Sequence, residues 1–127
     1  MGKKKAKPEG VVEIGLFHAQ VAVFQDVIAC DEYLTKLGCE CDWPNHTSLA
    51  VMRYDTDGDG VLRWSIVITE EANDGTVVHE CVHCADFIMD KYGIPTGAEN
   101  TEIRAYLTAE IYGGVKEILS WRKEAGK

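Results

Sequence analysis

The hydrophobic pattern begins with two short apolar stretches and then takes up the period of a helix. Residues 11–17 (VVEIGLF) are apolar and β-branched at their start, and residues 20–25 (QVAVFQ) alternate apolar with polar positions. Both patterns predict strands, although the two residues between them also allow one bent strand. Asp26 is a typical N-cap ahead of an amphipathic stretch that Gly38 terminates, which predicts a helix over residues 26–37.

A β-hairpin is the clearest strand signal in the sequence. Residues 47–54 and 60–69 are rich in Val, Ile, Leu, Trp and Tyr, and they flank the turn sequence DTDGD. Aspartate and glycine at these positions favour a turn between two strands. Every second residue of the later arm is apolar, so that face is expected to pack against the helices; it comprises Leu62, Trp64, Ile66 and Ile68.

Two helices are predicted in the second half of the chain. Residues 76–92 carry apolar residues at helical spacing, namely Val78, Cys81, Val82, Ala85, Ile88 and Met89. Asn73 or Asp74 is the expected N-cap, and the sequence GIP ends the helix. Residues 96–99 (TGAE) have the form of a capping box and are expected to open a last helix that runs to about Trp121.

The order of these elements predicts an α+β fold. It has a small, mostly antiparallel sheet, an early helix and a C-terminal helix pair. The length of 127 residues suits one domain with one core. Residues 11–122 are expected to form this domain, between a disordered basic tail at residues 1–10 and a polar tail at residues 123–127.

Charge is distributed unevenly along the chain. The net charge is −8, and residues 1–10 hold four lysines and one glutamate. The rest therefore has nine basic against twenty acidic residues, a net −11. An acidic domain is not expected to bind nucleic acid. Contact between the basic tail and acidic lipid or nucleic acid is the alternative to a simple disordered tail.

The sequence predicts a cytoplasmic protein. No apolar run approaches the ~18 residues of a membrane span, and no apolar segment follows the lysine-rich start as a secretory signal requires. Gly2 suggests myristoylation, but Ala6 stands where that motif needs Ser or Thr. The five cysteines are an odd number and are expected to be reduced thiols.

The candidate chemistry is concentrated in residues 79–83, which read H-E-C-V-H. On a helix, His79 and His83 are four residues apart and share a face, so both imidazoles can reach one zinc ion. Glu80 lies beside them as a candidate general base. The alternative is a helix that carries two histidines at this spacing without binding a metal.

A hydrolytic zinc site needs a third protein ligand. The metzincin solution is excluded, because Asp86 stands where that pattern has Gly and Met89 where it has His. Glu102, 19 residues after His83, is the preferred third ligand, since a returning helix is expected to place it level with the histidines. Glu99, one turn earlier, is the rival ligand.

Other residues near the predicted site have supporting roles. Asp86 and Asp90 fall on the His83 side of their helix and are candidates to accept a hydrogen bond from an imidazole, although both also fit a solvated face. Tyr106 shares a face with Glu102 and is a candidate donor to an oxyanion, with Tyr112 as a weaker one. Burial in the core is the alternative for both tyrosines.

H-E-C-V-H followed by E-I-R-A-Y resembles the gluzincin arrangement, and residues 75–112 resemble small phage-type metallopeptidases and minimal gluzincins. The resemblance implies a zinc ion bound by His79, His83 and Glu102, with Glu80 as general base and acid. It implies hydrolysis of peptide or amide bonds, with a peptide or protein substrate, in the host cytoplasm if the protein is phage-encoded. It also implies an active-site helix packed against a second helix beneath a small sheet.

The short chain leaves a second function open. Larger gluzincins have a further subdomain that closes the substrate cleft, and the sequence after Trp121 is only a polar tail. The alternative is a metal-stabilised binding or assembly protein that keeps the zinc site without turnover.

Three further motifs are weaker. The sequence DTDGDG begins like a calcium loop, but Ile66 occupies the twelfth position, where Glu is required, so a hairpin turn is preferred. Cys39-x-Cys41 with His46 is a possible second metal site with non-standard spacing. In the C-x-x-C sequence that ends at Cys84, a mid-helix position argues against thioredoxin-type chemistry. Cys84 is expected to face away from the buried stripe and to be accessible for reaction.

Overall fold

The computed structural model describes residues 7–39 and 50–125, with side chains up to residue 120. Four strands and three α-helices are found in these ranges, together with two short 3-10 turns. In chain order the elements are β1 (Gly10–Ile14), a 3-10 turn (Gly15–Phe17), β2 (Ala19–Phe24), α1 (Val27–Lys36), β3 (Ala50–Thr56), β4 (Leu62–Ile68), α2 (Asp74–Lys91), a 3-10 turn (Ala98–Asn100) and α3 (Thr101–Ala125).

The four strands form one mixed sheet in the order β1-β2-β4-β3. β1 pairs with β2, and β3 with β4, in antiparallel fashion, whereas β2 and β4 are parallel. The predicted α+β class is confirmed, and two of the three pairings are antiparallel. Two strands rather than one bent strand precede α1, because the 3-10 turn and His18, with a φ of 50°, reverse the chain between them.

Helices cover both faces of the sheet. One core lies between the sheet and α2 with α3, and it contains Trp64, Ile66 and Ile68, with Leu62 packed against it. The prediction that this face of β4 meets the helices is therefore confirmed. A smaller core on the opposite face joins α1 to the sheet through Phe24, Val27, Cys30, Leu34, Cys39 and Val67.

Local capping signals fix the starts of α1 and α2. The Asp26 carboxylate accepts a hydrogen bond from the Ile28 N–H at 3.1 Å, as the sequence predicts. Asn73 caps α2 by accepting from the Thr76 N–H at 2.8 Å. The predicted capping box at residues 96–99 is wrong: Gly97 precedes a 3-10 turn without a side-chain cap, because the Asn100 N–H donates to the Gly97 carbonyl.

The end of α1 contacts the β3–β4 turn at two glycines. The Gly58 N–H donates to the Leu37 carbonyl at 2.9 Å, and Gly38 follows with a φ of +90°. A Cβ at Gly38 would lie 2.7 Å from the Gly58 nitrogen, which is backbone and cannot rotate away. Gly38 therefore adopts a left-handed conformation and lies where two chain segments approach closely.

Gly38→Ala is expected to lower the free energy of unfolding by more than about 2 kcal/mol, since it adds a backbone clash to left-handed strain. Gly60→Ala is the matched control, because Gly60 has a φ of +81° and a Cβ there would have no other atom within 4 Å. Its cost should stay near the ~1 kcal/mol of the conformation alone. Urea denaturation of both variants measures the difference, and equal losses would contradict the close approach.

Candidate metal centre

His79 and His83 converge on the outer surface of α2. Their Nε2 atoms are 3.1 Å apart, and the rings meet edge to face with centroids at 4.6 Å. Two nitrogens that each bind a tetrahedral zinc ion at ~2.0 Å lie about 3.3 Å from one another. The pair therefore fits two positions of one zinc ion, and the i, i+4 spacing on α2 is what brings it together.

Both histidines face solvent rather than a cleft. Of the residues predicted to form the buried stripe of α2, Val78 is 41% exposed and Val82 is half-buried. Val77 and Cys84 are buried instead, so the helix is rotated about its axis relative to the prediction. This rotation carries the histidine pair away from the sheet.

Glu80 is buried, unlike the exposed histidines of the same motif. The Glu80 side chain is 12% exposed, whereas the His79 side chain is 65% exposed. The nearest Glu80 carboxylate oxygen, Oε2, lies 3.9 Å from the His79 Nε2. Phe87, which shares its side of α2 at i+7, stacks on Tyr54 of β3 with ring centroids at 4.6 Å. The carboxylate therefore lies on the β3 side of the helix, next to the histidine pair.

Two ion pairs fix the alignment of α2 and α3. Arg104 donates two hydrogen bonds to the Asp86 carboxylate, at 2.7 and 2.9 Å, and the Lys116 Nζ donates to Asp74 at 2.6 Å. The helices are thus antiparallel, with Asp86 opposite Arg104 and Asp74 opposite Lys116. Asp86 binds a guanidinium and not an imidazole, which differs from its predicted supporting role.

This alignment separates Glu102 from the histidines. Glu102 lies two residues before Arg104 and so stands opposite about residue 88, roughly 7.5 Å along the axis from His83. Glu102 and Glu99 are exposed, and no three His, Cys, Asp or Glu side chains among the described residues are grouped to hold a metal ion. The Arg104–Asp86 pair therefore offsets Glu102 from the histidines toward the C-terminal end of α2, and its role as third ligand stays a prediction.

The two candidate tyrosines point to different sides of α3. Tyr106 is 49% exposed, and the Glu110 carboxylate next to it raises its pKa. Glu110 lines a cleft with Val12 of β1, which places this side of α3 away from α2. Tyr112 instead faces α2 alongside Val78. Tyr112 therefore shares a groove with the valines that precede the histidine pair, whereas Tyr106, the preferred candidate from the sequence, does not line that groove.

A groove runs between α2 and α3 beside the histidine pair. It has a volume of about 580 Å³ and is lined by Val78, Val82, Thr101, Arg104, Ala105, Thr108, Ala109 and Tyr112. Val78 and Val82 directly precede His79 and His83, so one wall of the groove adjoins the pair. The groove is not apparent from the sequence, because the residues that line it come from two helices whose alignment depends on the Arg104–Asp86 pair.

The cysteines of α2 are buried. Cys81 and Cys84 are both 0% exposed, and the prediction of an accessible Cys84 is wrong because the rotation of α2 turns this residue toward the sheet. Burial raises the pKa of Cys81 to about 12 and raises that of Cys84 as well. Both side chains are therefore protonated, unreactive core residues at neutral pH.

The aspartates of the β3–β4 turn organise the turn itself. Asp57 accepts hydrogen bonds from the N–H groups of Asp59 and Val61 and from Arg63, each at 2.9 Å. The Val61 N–H is the largest of these effects, and together they lower the pKa of Asp57. Asp55 pairs with Arg53, so two of the aspartates already have cationic partners within the chain.

The possible second metal site involves residues beyond the described ranges. Cys39 is buried at the end of the first range, whereas Cys41 and His46 lie outside the described residues, as does most of the predicted basic tail. Within the described ranges, no helix is both long and apolar enough to cross a membrane. Comparisons with protein-family profiles, curated proteins and solved structures found no match.

Proposed function

We propose that this protein is a zinc-dependent hydrolase of peptide or amide bonds, with His79 and His83 as metal ligands and Glu80 as the proton-transfer group. The observation that supports it best is the 3.1 Å approach of the two Nε2 atoms, with the Glu80 carboxylate 3.9 Å from one of them. In zinc hydrolases with the H-E-x-x-H motif, the two imidazoles are metal ligands and the adjacent carboxylate is the general base.

Zinc bound at this pair would polarise a carbonyl group and lower the pKa of a bound water toward ~7. The chain's own residues then handle protons. Glu80 accepts a proton from the attacking water and delivers it to the leaving amine. Its burial against the β3 side restricts the carboxylate to the neighbourhood of His79. Tyr112 is the hydroxyl that lines the adjoining groove and replaces Tyr106 as the donor for an oxyanion.

The third ligand is the part of the gluzincin pattern that the described residues do not assemble. The resemblance assigns it to Glu102, with Glu99 as the rival one turn earlier, and neither belongs to a metal-binding group among the described residues. We therefore propose two protein ligands from one chain, with the remaining positions open to water, substrate or another donor.

The outward position of the histidine pair favours a second candidate function, that of a metal-stabilised assembly protein. The His79 side chain is 65% exposed, and the groove beside the pair is open. Enzyme active sites usually exclude bulk water from the reacting groups. A metal held at such a surface can join protein molecules without turnover.

Removal and restoration of zinc tests the proposed hydrolase. Protein stripped of metal by a chelator is expected to cleave a mixture of labelled unstructured peptides only after zinc is added back, because zinc would lower the pKa of the attacking water. Cleavage is measured as peptide fragments by mass spectrometry. Activity that is unaffected by the chelator would contradict zinc-dependent hydrolysis, whereas zinc binding without cleavage would support the assembly function.

A further inference from the structure

A zinc ion held only by the histidine pair would have incomplete coordination. Zinc in proteins is almost always bound by four donors in a tetrahedron, and closed sites take all four from side chains. His79 and His83 supply two, and the described part of the chain groups no third His, Cys, Asp or Glu with them. Both histidines are on the solvent-exposed face of α2, where another protein molecule can approach them.

We propose that a second copy of this chain supplies the other two ligands, so that one zinc ion joins two molecules through His79 and His83 of each. The inference rests on the metal-binding half of the proposed function and not on hydrolysis. A two-fold axis through the ion makes the arrangement self-complementary, as closed homodimers require. The four imidazole nitrogens then complete a tetrahedron.

The surface around the pair suits this partner. Val78, 41% exposed, and the half-buried Val82 flank the histidines and offer apolar surface to bury. The groove of about 580 Å³ that they border extends this surface along α3. Asp86, three residues after His83, is paired with Arg104, so its charge is offset within each molecule.

Net charge makes the association depend on the metal. Each chain carries a net charge of −8, and two such molecules repel one another. A divalent cation between the copies reduces this repulsion and supplies the coordination bonds.

The dimer also fills the coordination positions that hydrolysis needs. Zinc in excess of the protein gives each chain its own ion, so the one-to-one monomer is the form with open coordination positions.

Light scattering of the untagged protein during a zinc titration tests the proposal. From a mass of 14.1 kDa without metal, we expect about twice that mass at one zinc per two chains and a return toward 14.1 kDa when zinc exceeds one per chain. Val78→Glu places a carboxylate at the contact and is expected to prevent the dimer while keeping zinc bound. His18→Asn is the matched control, since it removes an exposed histidine where Asn tolerates the φ of 50°.

The outcomes distinguish failure of the dimer proposal from failure of the proposed function. A monomer that binds one zinc at every ratio overturns the dimer and leaves the proposed function standing. A dimer that forms equally without zinc, or in a His79→Ala/His83→Ala variant, also overturns the proposal. Failure to bind zinc overturns both proposals. Circular dichroism of each variant establishes that it is folded.

Discussion

Glu80→Gln is expected to slow hydrolysis sharply while zinc stays bound. The substitution preserves the shape of a side chain that is 12% exposed but removes its ability to accept a proton. General-base catalysis contributes about 10²–10⁴-fold, so kcat/KM of the zinc-loaded enzyme should fall by that factor. Peptide cleavage and zinc content are measured on the same preparation.

Glu102→Gln tests whether Glu102 is a zinc ligand, as the gluzincin pattern implies. Glu102 is exposed and about 7.5 Å along the helix axis from His83, so the substitution should leave zinc affinity unchanged. A sharp loss of zinc would instead make Glu102 the third ligand. If Glu80→Gln keeps the wild-type rate, the proposed mechanism is wrong whichever residue completes the site.

The double variant His79→Ala/His83→Ala is expected to lose at least about 100-fold in zinc affinity, because it removes both imidazole nitrogens that converge at 3.1 Å. Both side chains are exposed, so the free energy of unfolding of the metal-free protein should change by less than about 0.5 kcal/mol. Calorimetric titration measures the affinity, and urea denaturation measures the stability.

His18→Asn should bind zinc as the wild type does, because His18 lies in the turn between β1 and β2. The contrast with the double variant excludes a general effect of histidine loss. Zinc affinity that survives in the double variant would show that other donors hold the ion.

Local signals explain which elements were predictable. The Asp26 and Asn73 caps act within a few residues of sequence, and both helix starts match the prediction. The parallel pairing of β2 with β4 depends on a connection through α1 and β3, and the strand patterns do not encode it. The hairpin was predictable in its described part, since β3 and β4 are adjacent in the chain and pair directly.

The candidate site was predictable only as far as one helix determines it. The four-residue spacing alone brings His79 and His83 together. Which way the pair faces depends on the neighbours of α2, and packing on the sheet turned Cys84 inward and left Val78 exposed. The position of Glu102 depends on the length and turns of the connection to α3, which periodicity does not specify.

Zinc-edge X-ray absorption of the zinc-loaded protein tests the central claim, that His79 and His83 bind the metal. We expect nitrogen or oxygen neighbours at about 2.0 Å with the outer-shell scattering of imidazole, and no sulfur at about 2.3 Å. The imidazole signal should vanish in His79→Ala/His83→Ala. A sulfur shell, or an imidazole signal that persists in the double variant, would contradict the assignment.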